Sequence, residues 1–496
     1  MNEPNSTEPE RIESARNFPR TRIFIDCTQT YFWGGNSGIQ RVTRNIANQA
    51  LAMEHPKCDV IPVIWVGYGF CKLRHKIGTR PYILIRIRIW IRERLNKLPK
   101  KKPSWPIAKL INAIQFTRKF LQPLTRPFVH WMYRTLEFLL SLGYIPVRFL
   151  FGKFIEFQSR DTVLLIDATW GHDDMFKTLF DAQKKVGIKV VPMLHDLFPL
   201  TLPETCESIT IQYYTQWFQA VVPDADYFIT NSNSTGIALT EYLEDHPEIR
   251  PLPITYAPFR LGAELDLLDK GLENPQELQP LWDTPGKAIL AIGTIEPRKN
   301  HSFLLDVFDL LRERGVNVSL IIIGRVGWKS EAVMERIHQH QDLNTRLLHL
   351  GNASDRVLAE AIERCDCLVC PSIAEGFGLP VVEGLMRGNQ VFASDIEVFR
   401  EVGGEHCRYF SLSDPTDLAD QLEKWFIEKD RSPNAPRTDI QWPNWKQSAE
   451  ELITTILATA RGLRRVERKE RRATSSASDG NTEEVDSGEL TIDSDE

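Results

Sequence analysis

Two glutamates, Glu375 and Glu383, stand eight residues apart around the glycine-rich turn Gly-Phe-Gly. The apolar run 367–370 predicts a strand before the turn, and Pro380 suits the first turn of a helix after it. Free N–H groups at a helix N-terminus, beside glycines that let a ligand come close, favour a bound phosphate. Because carboxylates repel phosphate, the glutamates fit neutral hydroxyls on either side of a diphosphate. The pattern predicts a nucleotide-sugar site; the alternative is an ordinary strand–turn–helix with two solvated glutamates.

A basic pair, Arg298 and Lys299, follows the apolar run 288–292 and Gly293. The helix dipole disfavours cations at the start of a helix, so a pair that is merely solvated is less natural there. A guanidinium offers a planar fork and an ammonium a compact charge, and both suit a diphosphate. We therefore expect the pair beside the same ligand as the two glutamates.

The N-terminal half has predicted strands of its own at 23–26, 190–194 and 227–230. In open α/β sheets the ligand crevice lies at the carboxyl ends of the strands. The residues placed there are His195, Asp196 and Asn231. A lone histidine at such a position is alternatively a structural residue with a satisfied hydrogen bond.

These motifs resemble the donor site of the retaining group 1 (family 4) glycosyltransferases, which have the GT-B fold. The string Gly-Ile-Gln-Arg-Val at 38–42 resembles a subset described as mannosyl- or rhamnosyltransferases of surface-polysaccharide assembly. The resemblance implies that Glu375 contacts the sugar hydroxyls, that Glu383 contacts the ribose and that His195 helps to position the sugar. The implied catalytic residues are His195, Glu375, Arg298 and Lys299. The implied donor-binding residues are Gly293, Arg298, Lys299, Gly324, Glu375, Gly376, Phe377, Gly378, Leu379 and Glu383. The residues implied on the acceptor or cleft side are Gly35, Gly38, Arg41, Asp196 and Asn231.

With 496 residues, 42% of them hydrophobic, the chain is long enough for more than one domain. Strand-like runs alternate with helical patterns in both halves, which predicts the α/β class with parallel, doubly wound sheets. The resemblance implies two Rossmann-like domains facing a cleft. We place an acceptor-side domain at 20–262 with a basic insertion at 71–155, a linker at 263–286, a nucleotide-sugar-binding domain at 287–430, a helix at 440–463 that packs back on the first domain, and disordered ends at 1–19 and 464–496.

Residues 71–153 carry 19 lysines and arginines against two acidic residues, a net charge of +17 in a chain whose total is −6. Charges interrupt each apolar run before the roughly 18 residues that a membrane span needs. Three tryptophans lie among the charges, and such a segment suits an anionic membrane surface, where each Lys or Arg contributes on the order of 1 kcal/mol. Nucleic acid is a rival partner, and a solvated insertion or a protein-docking surface is a third alternative.

Because many proteins of the resembled family act on lipid-linked acceptors, we favour the membrane and expect no nucleic-acid partner. Residues 1–19 lack the apolar core of a targeting peptide. The expected location is cytoplasmic, on the inner face of the membrane.

Cys365, Cys367 and Cys370, with the pair at 406–407, have the side-chain types of a zinc site. In a strand, however, Cys367 and Cys370 point to opposite faces and cannot close on one ion. Asp224 and Asp226 form a pair known from metal-binding transferases of another fold, but here the pair precedes a strand. We expect no metal and no cofactor, and scattered cysteines suit a reducing compartment.

The functional expectation is a retaining glycosyltransferase that moves a hexose from a nucleoside diphosphate-sugar to a glycan acceptor. The resemblance at 38–42 favours GDP-mannose as the donor. Two alternatives stay open. One is another GT-B enzyme, such as a phosphorylase or sugar-phosphate synthase; the other is a catalytically silent scaffold that recruits partners through its basic insertion.

Overall fold

The computed structural model describes residues 20–67, 69–79, 154–265, 278–282, 284–431 and 440–478, and we number its elements over these residues alone. Four of the predicted features therefore lie wholly or partly outside the described residues: the N-terminus 1–19, most of the basic insertion (80–153), the middle of the linker (266–277) and the end of the tail (479–496).

The N-terminal lobe is built on a seven-stranded sheet. Its strands run in the order β3-β2-β1-β4-β5-β6-β7, and β3 alone is antiparallel to its neighbour. The strands are β1 (Thr21–Asp26), β2 (Cys58–Trp65), β3 (Phe70–Lys72), β4 (Thr162–Leu165), β5 (Lys189–Leu194), β6 (Phe228–Thr230) and β7 (Tyr256–Pro258). The helices are α1 (Thr28–Trp33), α2 (Gly38–Ala50), α3 (Asp173–Val186), α4 (Phe198–Thr201), α5 (Ser208–Val221) and α6 (Asn233–Asp245).

The C-terminal lobe is built on a six-stranded, fully parallel sheet in the order β10-β9-β8-β11-β12-β13. Its strands are β8 (Lys287–Ile292), β9 (Val318–Ile323), β10 (Leu347–Leu350), β11 (Cys367–Cys370), β12 (Gln390–Ser394) and β13 (Cys407–Phe410). The helices are α7 (Gln279–Trp282), α8 (His301–Glu313), α9 (Glu331–Gln339), α10 (Asp355–Arg364), α11 (Leu379–Met386), α12 (Glu397–Gly403) and α13 (Pro415–Arg431).

In both sheets the strand order reverses once, between β1 and β4 and between β8 and β11. A ligand crevice in a doubly wound sheet lies at this reversal, outside the carboxyl ends of the strands. Strands β4, β9 and β11 are buried along their whole length, which is why they read as continuous apolar runs rather than as alternating ones. The predicted fold class, two Rossmann-like domains facing a cleft, is confirmed.

Helix α14 (Trp445–Ser478) follows the C-terminal lobe and returns to the N-terminal one. Ser448 Oγ donates to the Arg260 carbonyl at 2.7 Å, and Tyr227 Oη donates to the Ile456 carbonyl at 3.2 Å. The helix continues to Ser478, past residue 464, where the sequence analysis predicts the start of a disordered tail. Residues 464–473 are mostly Arg, Glu, Lys and Ala, which have high helix propensity.

The described ends of the basic insertion contact two different parts of the N-terminal lobe. Ile155 N donates to the Phe70 carbonyl at 2.8 Å, which places the returning chain beside β3. At the other end, Gly35 N donates to the Thr79 carbonyl at 2.7 Å. The insertion therefore begins next to the glycine-rich segment that precedes α2.

Candidate active site

The turn between β11 and α11 lies at the reversal point of the C-terminal sheet and carries Glu375. Gly378 precedes α11 with φ +98°, a conformation that favours glycine. The Glu375 side chain is 9% exposed. Its carboxylate accepts a hydrogen bond from Ser372 Oγ at 2.7 Å, lies 2.9 Å from Arg298 Nη1 and pairs with Lys299 Nζ. The structure thus brings three of the four predicted catalytic residues into one ion-paired cluster.

The basic pair lies on a short 3₁₀ turn, Pro297–Lys299, that follows β8. Besides Glu375, Arg298 binds Glu296 Oε1 at 2.6 Å and the Ala374 carbonyl at 2.7 Å. Its guanidinium lies 4.7 Å from the ring centre of Phe198, which belongs to the N-terminal lobe. Arg298 therefore binds the turn between β11 and α11 and also contacts the opposite lobe.

Electrostatics keep this cluster charged. Burial raises the pKa of Glu375, but the charges of Lys299 and Arg298 outweigh it and hold the pKa at about 2. Burial lowers the pKa of Arg298, while Glu375, Glu296 and Asp196 raise it further, so the net shift is upward. A cavity of about 10 Å³ beside the cluster has Lys299 and Glu375 in its wall, which is room for about one water molecule.

The N-terminal face of the cleft has a different character. His195 follows β5, and its Nε2 lies 2.8 Å from the Ile166 carbonyl. Burial lowers the pKa of His195 to about 4 against the opposing effect of that hydrogen bond, so the ring is neutral at pH 7. The next residue, Asp196, has a pKa raised to about 6 by burial, although the charge of Arg298 opposes the rise. His195 is thus a neutral dipole suited to a sugar hydroxyl.

Arg41 reaches across the cleft to Glu383. It lies on α2, whose N-terminus is capped by Ser37 in a capping box with Gln40. Its Nη1 pairs with Glu383 Oε1, and its Nη2 donates to the Glu264 carbonyl at 2.7 Å. The side chain of Glu383 is 2% exposed. The predicted ribose-binding carboxylate is therefore held by a cation of the opposite lobe.

The predicted glycines serve close contacts of several kinds. A Cβ on Gly324 would lie 1.7 Å from the Gly293 carbonyl oxygen, so this pair lets the ends of β8 and β9 touch. A Cβ on Gly376 would lie 1.9 Å from the His195 carbonyl oxygen, where the two lobes meet. Gly35 has φ +98° and packs on Gln40, whereas a Cβ on Gly38 would meet nothing within 4 Å. Close packing within the protein therefore accounts for Gly324, Gly376 and Gly35 without reference to a ligand.

The remaining predicted residues flank this centre. Phe377 is buried in the donor turn and its ring lies 6.1 Å from that of Trp442. Leu379 is the first residue of α11. Asn231 Nδ2 donates to the His195 carbonyl at 2.9 Å, so it supports that residue rather than pointing into the open cleft.

Sequence reasoning missed several polar residues of the cleft. Ser372 and Glu296 complete the ionic cluster, and Thr235 lies beside Asn231. A pair of buried carboxyls, Asp26 and Asp167, lies at the reversal point of the N-terminal sheet. Asp26 is the last residue of β1. The sequence contained a signal for it, because burying a carboxyl at the end of an apolar strand costs free energy unless the group has a structural or functional role.

Burial, and then the charge of Asp167, raise the pKa of Asp26 to about 8. Burial raises the pKa of Asp167 to about 6, although hydrogen bonds donated by Thr30 oppose the rise. Asp26 is therefore largely protonated at pH 7, and no cation contacts it within the described residues.

Two sequence-level expectations concern metals and membrane spans. Cys367 and Cys370 pack into different apolar clusters on the two faces of the C-terminal sheet. Over the described ranges, no three His, Cys, Asp or Glu side chains gather as a metal site requires. Asp226 instead accepts a hydrogen bond from Val190 N at 2.8 Å. None of the described helices is both long enough and apolar enough to cross a bilayer.

Residues 275–438 match the family model of glycosyl transferases group 1. The chain is 31% identical over 318 residues to the serotype-specific mannosyltransferase WbdA of Escherichia coli, which is 63% of this chain and 39% of that protein. It is 28% identical over 284 residues to the O-antigen chain mannosyltransferase B of Escherichia coli, which is 55% of this chain and 65% of that protein. The chain thus spans less than two thirds of either relative.

Among solved structures, the N-terminal domain of the trehalose-6-phosphate phosphatase of Candida albicans superposes with a TM-score of 0.52. The match covers 88% of this chain and 96% of that domain at 13% identity. At this identity the likeness concerns the fold alone, and it covers both lobes.

Proposed function

We propose that this chain is a group 1 glycosyltransferase that moves a hexose from a nucleoside diphosphate-sugar to a hydroxyl of a glycan acceptor. The match of residues 275–438 to that family model and the GT-B fold support the proposal. The observation that carries the proposal is the buried cluster of Glu375, Arg298 and Lys299 at the reversal point of the C-terminal sheet. It holds two cations and a hydroxyl-binding carboxylate where the fold places ligands.

Donor binding exchanges the partners of this cluster. The diphosphate takes over Arg298 and Lys299, with the amides of Phe377, Gly378 and Leu379 as further donors at the start of α11. Glu375 is then released to accept hydrogen bonds from the sugar hydroxyls. Glu383 turns from Arg41 toward the ribose in the same way. Each of these ion pairs thus holds a side chain that the donor would engage.

The reaction breaks the bond between the sugar C1 and the phosphate oxygen and forms a bond from C1 to the acceptor oxygen. Negative charge develops on the leaving diphosphate, and the two cations and the helix amides stabilise it, a contribution that usually dominates such catalysis. We propose front-face attack with retention, in which the leaving phosphate oxygen takes the acceptor's proton. Glu375 and His195 hold the sugar, and no protein nucleophile is needed.

Mannose, carried by GDP, is the proposed sugar. Two relatives are named as mannosyltransferases, one of them for the O-antigen chain. Their names support the hexose, while the base rests on the resemblance at 38–42. Polysaccharide biosynthesis is the proposed setting.

We further propose that the acceptor is lipid-linked and that residues 71–153 bind an anionic membrane surface at the cytoplasmic face. The insertion leaves the lobe beside Gly35, so membrane binding there would bring a lipid-linked acceptor to the cleft. The test replaces the eight Lys and Arg residues between 86 and 102 with Gln. Sedimentation with anionic vesicles should fall sharply, while neutral vesicles bind neither protein; unchanged sedimentation would rule out this role.

A donor screen tests the proposed activity. The purified chain is incubated with GDP-mannose and other nucleotide-sugars, and the released nucleoside diphosphate and the anomeric configuration of the product are measured. Release of nucleoside diphosphate with a retained anomer supports the proposal, whereas orthophosphate chemistry indicates a phosphorylase. No binding of any nucleotide-sugar by calorimetry would favour the alternative, a silent scaffold.

A further inference from the structure

The turn between β11 and α11, residues 371–378, is called the donor turn below, and it packs directly against the N-terminal lobe. A Cβ on Gly376 would lie 1.9 Å from the His195 carbonyl oxygen and 3.3 Å from Asn231 Nδ2. The backbones of the two lobes are therefore in direct contact beside Glu375, the neighbour of Gly376 in the chain. Only glycine permits this approach.

A buried chain of hydrogen bonds surrounds the contact. Ser232 Oγ donates to the Gly376 carbonyl at 2.7 Å and accepts from Thr235 N at 3.1 Å. Thr235 Oγ1 lies 3.1 Å from Asn231 Oδ1 and 3.2 Å from the Gly376 carbonyl oxygen. Asn231 Nδ2 then donates to the His195 carbonyl at 2.9 Å. The chain thus runs from the donor turn of one lobe to His195 of the other.

A second contact lies at the exposed edge of the same helix terminus. Glu401, on α12 of the C-terminal lobe, accepts from Asn233 N at 2.6 Å and from Ser234 N at 2.9 Å. It therefore caps the N-terminus of α6 across the cleft, where a carboxylate is favoured. Both contacts would break if the lobes parted to admit a donor.

We propose that Ser232 and Thr235 are positioning residues, an inference that rests on the proposed transferase function. When the lobes close over the donor, their hydroxyls fix Gly376 and thereby aim the Glu375 carboxylate at the sugar. In the open enzyme the donor binds to the C-terminal lobe without this alignment. The two hydroxyls thus couple closure of the cleft to competence for transfer.

The test is Thr235→Val, which keeps the side-chain shape and removes the hydroxyl. Thr240→Val is the matched control, since Thr240 lies on the same helix and donates within it to the Gly236 carbonyl at 3.0 Å. We expect kcat of Thr235→Val to fall about tenfold or more, the scale of one lost hydrogen bond in the transition state. The donor KM should stay within about twofold, because ground-state binding is unaffected. Thr235→Ser should restore kcat.

The outcomes separate the two proposals. If the wild type transfers sugar and Thr235→Val keeps its kcat, the positioning role is wrong and the transferase function stands. If Thr235→Ser fails to restore kcat, or if KM rises as much as kcat falls, the residue is structural. A wild type without transfer to any acceptor would overturn the proposed function and this inference together. Ser232→Ala should reproduce the loss of kcat, with a lower thermal midpoint because Ser232 also caps α6.

Discussion

The two sheets hold buried carboxyls at equivalent places, the reversal points of strand order, but in opposite states of protonation. Glu375 in the C-terminal lobe lies between two cations, and its pKa is held at about 2. Asp26 in the N-terminal lobe is buried as deeply with no cation against it in the described residues, and its pKa rises to about 8. Burial raises the pKa of both groups, so the partners alone decide the sign of the net shift.

The contrast extends to the whole cleft. The C-terminal face offers full charges, which suit a diphosphate, whereas the N-terminal face offers neutral groups such as the His195 ring and the hydroxyls of Ser232 and Thr235. Two residues are charged exceptions: Arg41, which pairs with Glu383 across the cleft, and Asp196, whose pKa of about 6 leaves it ionised at pH 7. We therefore propose that the two lobes have different roles: the C-terminal lobe stabilises the charge of the donor, and the N-terminal lobe aligns hydroxyl-bearing groups.

Lys299→Ala should have the largest effect. It removes a cation that stabilises the leaving diphosphate, and kcat should fall about 10³-fold. Lys287→Ala is the matched control, since Lys287 pairs with Asp430 at the amino end of β8, away from the cleft. Transfer assays and thermal midpoints measure both variants. Near-normal turnover of Lys299→Ala would break the proposed division between the lobes.

Glu375→Gln should have the next largest effect. The amide keeps the size of the side chain but loses the charge that pairs with Arg298 and Lys299, and its NH₂ group donates where the carboxylate accepts. We expect kcat to fall about 10²-fold. Glu428→Gln, on α13 beside Arg408, removes an exposed charge as the control. If both variants transfer sugar at similar rates, Glu375 does not orient the hexose.

The Arg41–Glu383 pair tests a positive charge that the N-terminal lobe contributes to the cleft. Arg41→Met leaves the buried Glu383 carboxylate unpaired and should lower the free energy of unfolding by about 3 kcal/mol. Adding Glu383→Gln should recover part of that loss, with a coupling energy of about 2 kcal/mol. Urea unfolding of the two single variants and the double variant gives this value. Additive effects would show that the ion pair is not formed in solution.

Much of the C-terminal site could be predicted from the sequence. The turn after β11 and the turn after β8 each follow a short apolar run, and these strands are neighbours in the sheet. Their carboxyl ends must then meet, so the local sequence pattern is enough to predict that Glu375, Arg298 and Lys299 converge. Gly378 before α11 is likewise a local signal, since its positive φ is needed to start that helix.

The contacts between the lobes could not be predicted in this way. The pairing of Arg41 with Glu383 and the seat of Gly376 on the His195 carbonyl depend on how two separate sheets approach each other. The hydrophobic periodicity of either half does not predict the distance between the two sheets. Gly324 shows the same limit, because it looks like a ligand-binding glycine and also makes room for the Gly293 carbonyl.

Asp26→Asn should have the smallest effect, and it tests the neutral side of the comparison. The folded-state pKa of Asp26 is raised from 3.8 to about 8, so the folded protein keeps a proton that the unfolded chain loses as pH rises. The wild type should therefore lose stability between pH 6 and 8, by up to about 1.4 kcal/mol per pH unit. Asn imitates the protonated acid and should flatten this slope.

Thermal midpoints at pH 6, 7 and 8 measure the effect. Asp167 and Asp196 titrate near pH 6, and His195 titrates near pH 4, so Asp26 dominates the upper part of the range. Asp196→Asn is the matched control, since the pKa of Asp196 is also about 6 and its charge is not among those that raise the pKa of Asp26; it should change the slope mainly below pH 6. Parallel pH profiles for the wild type and Asp26→Asn would mean that Asp26 is ionised in the folded protein. The N-terminal reversal point would then carry charge, and the contrast between the two lobes would have to rest on His195 and the hydroxyls of α6 alone.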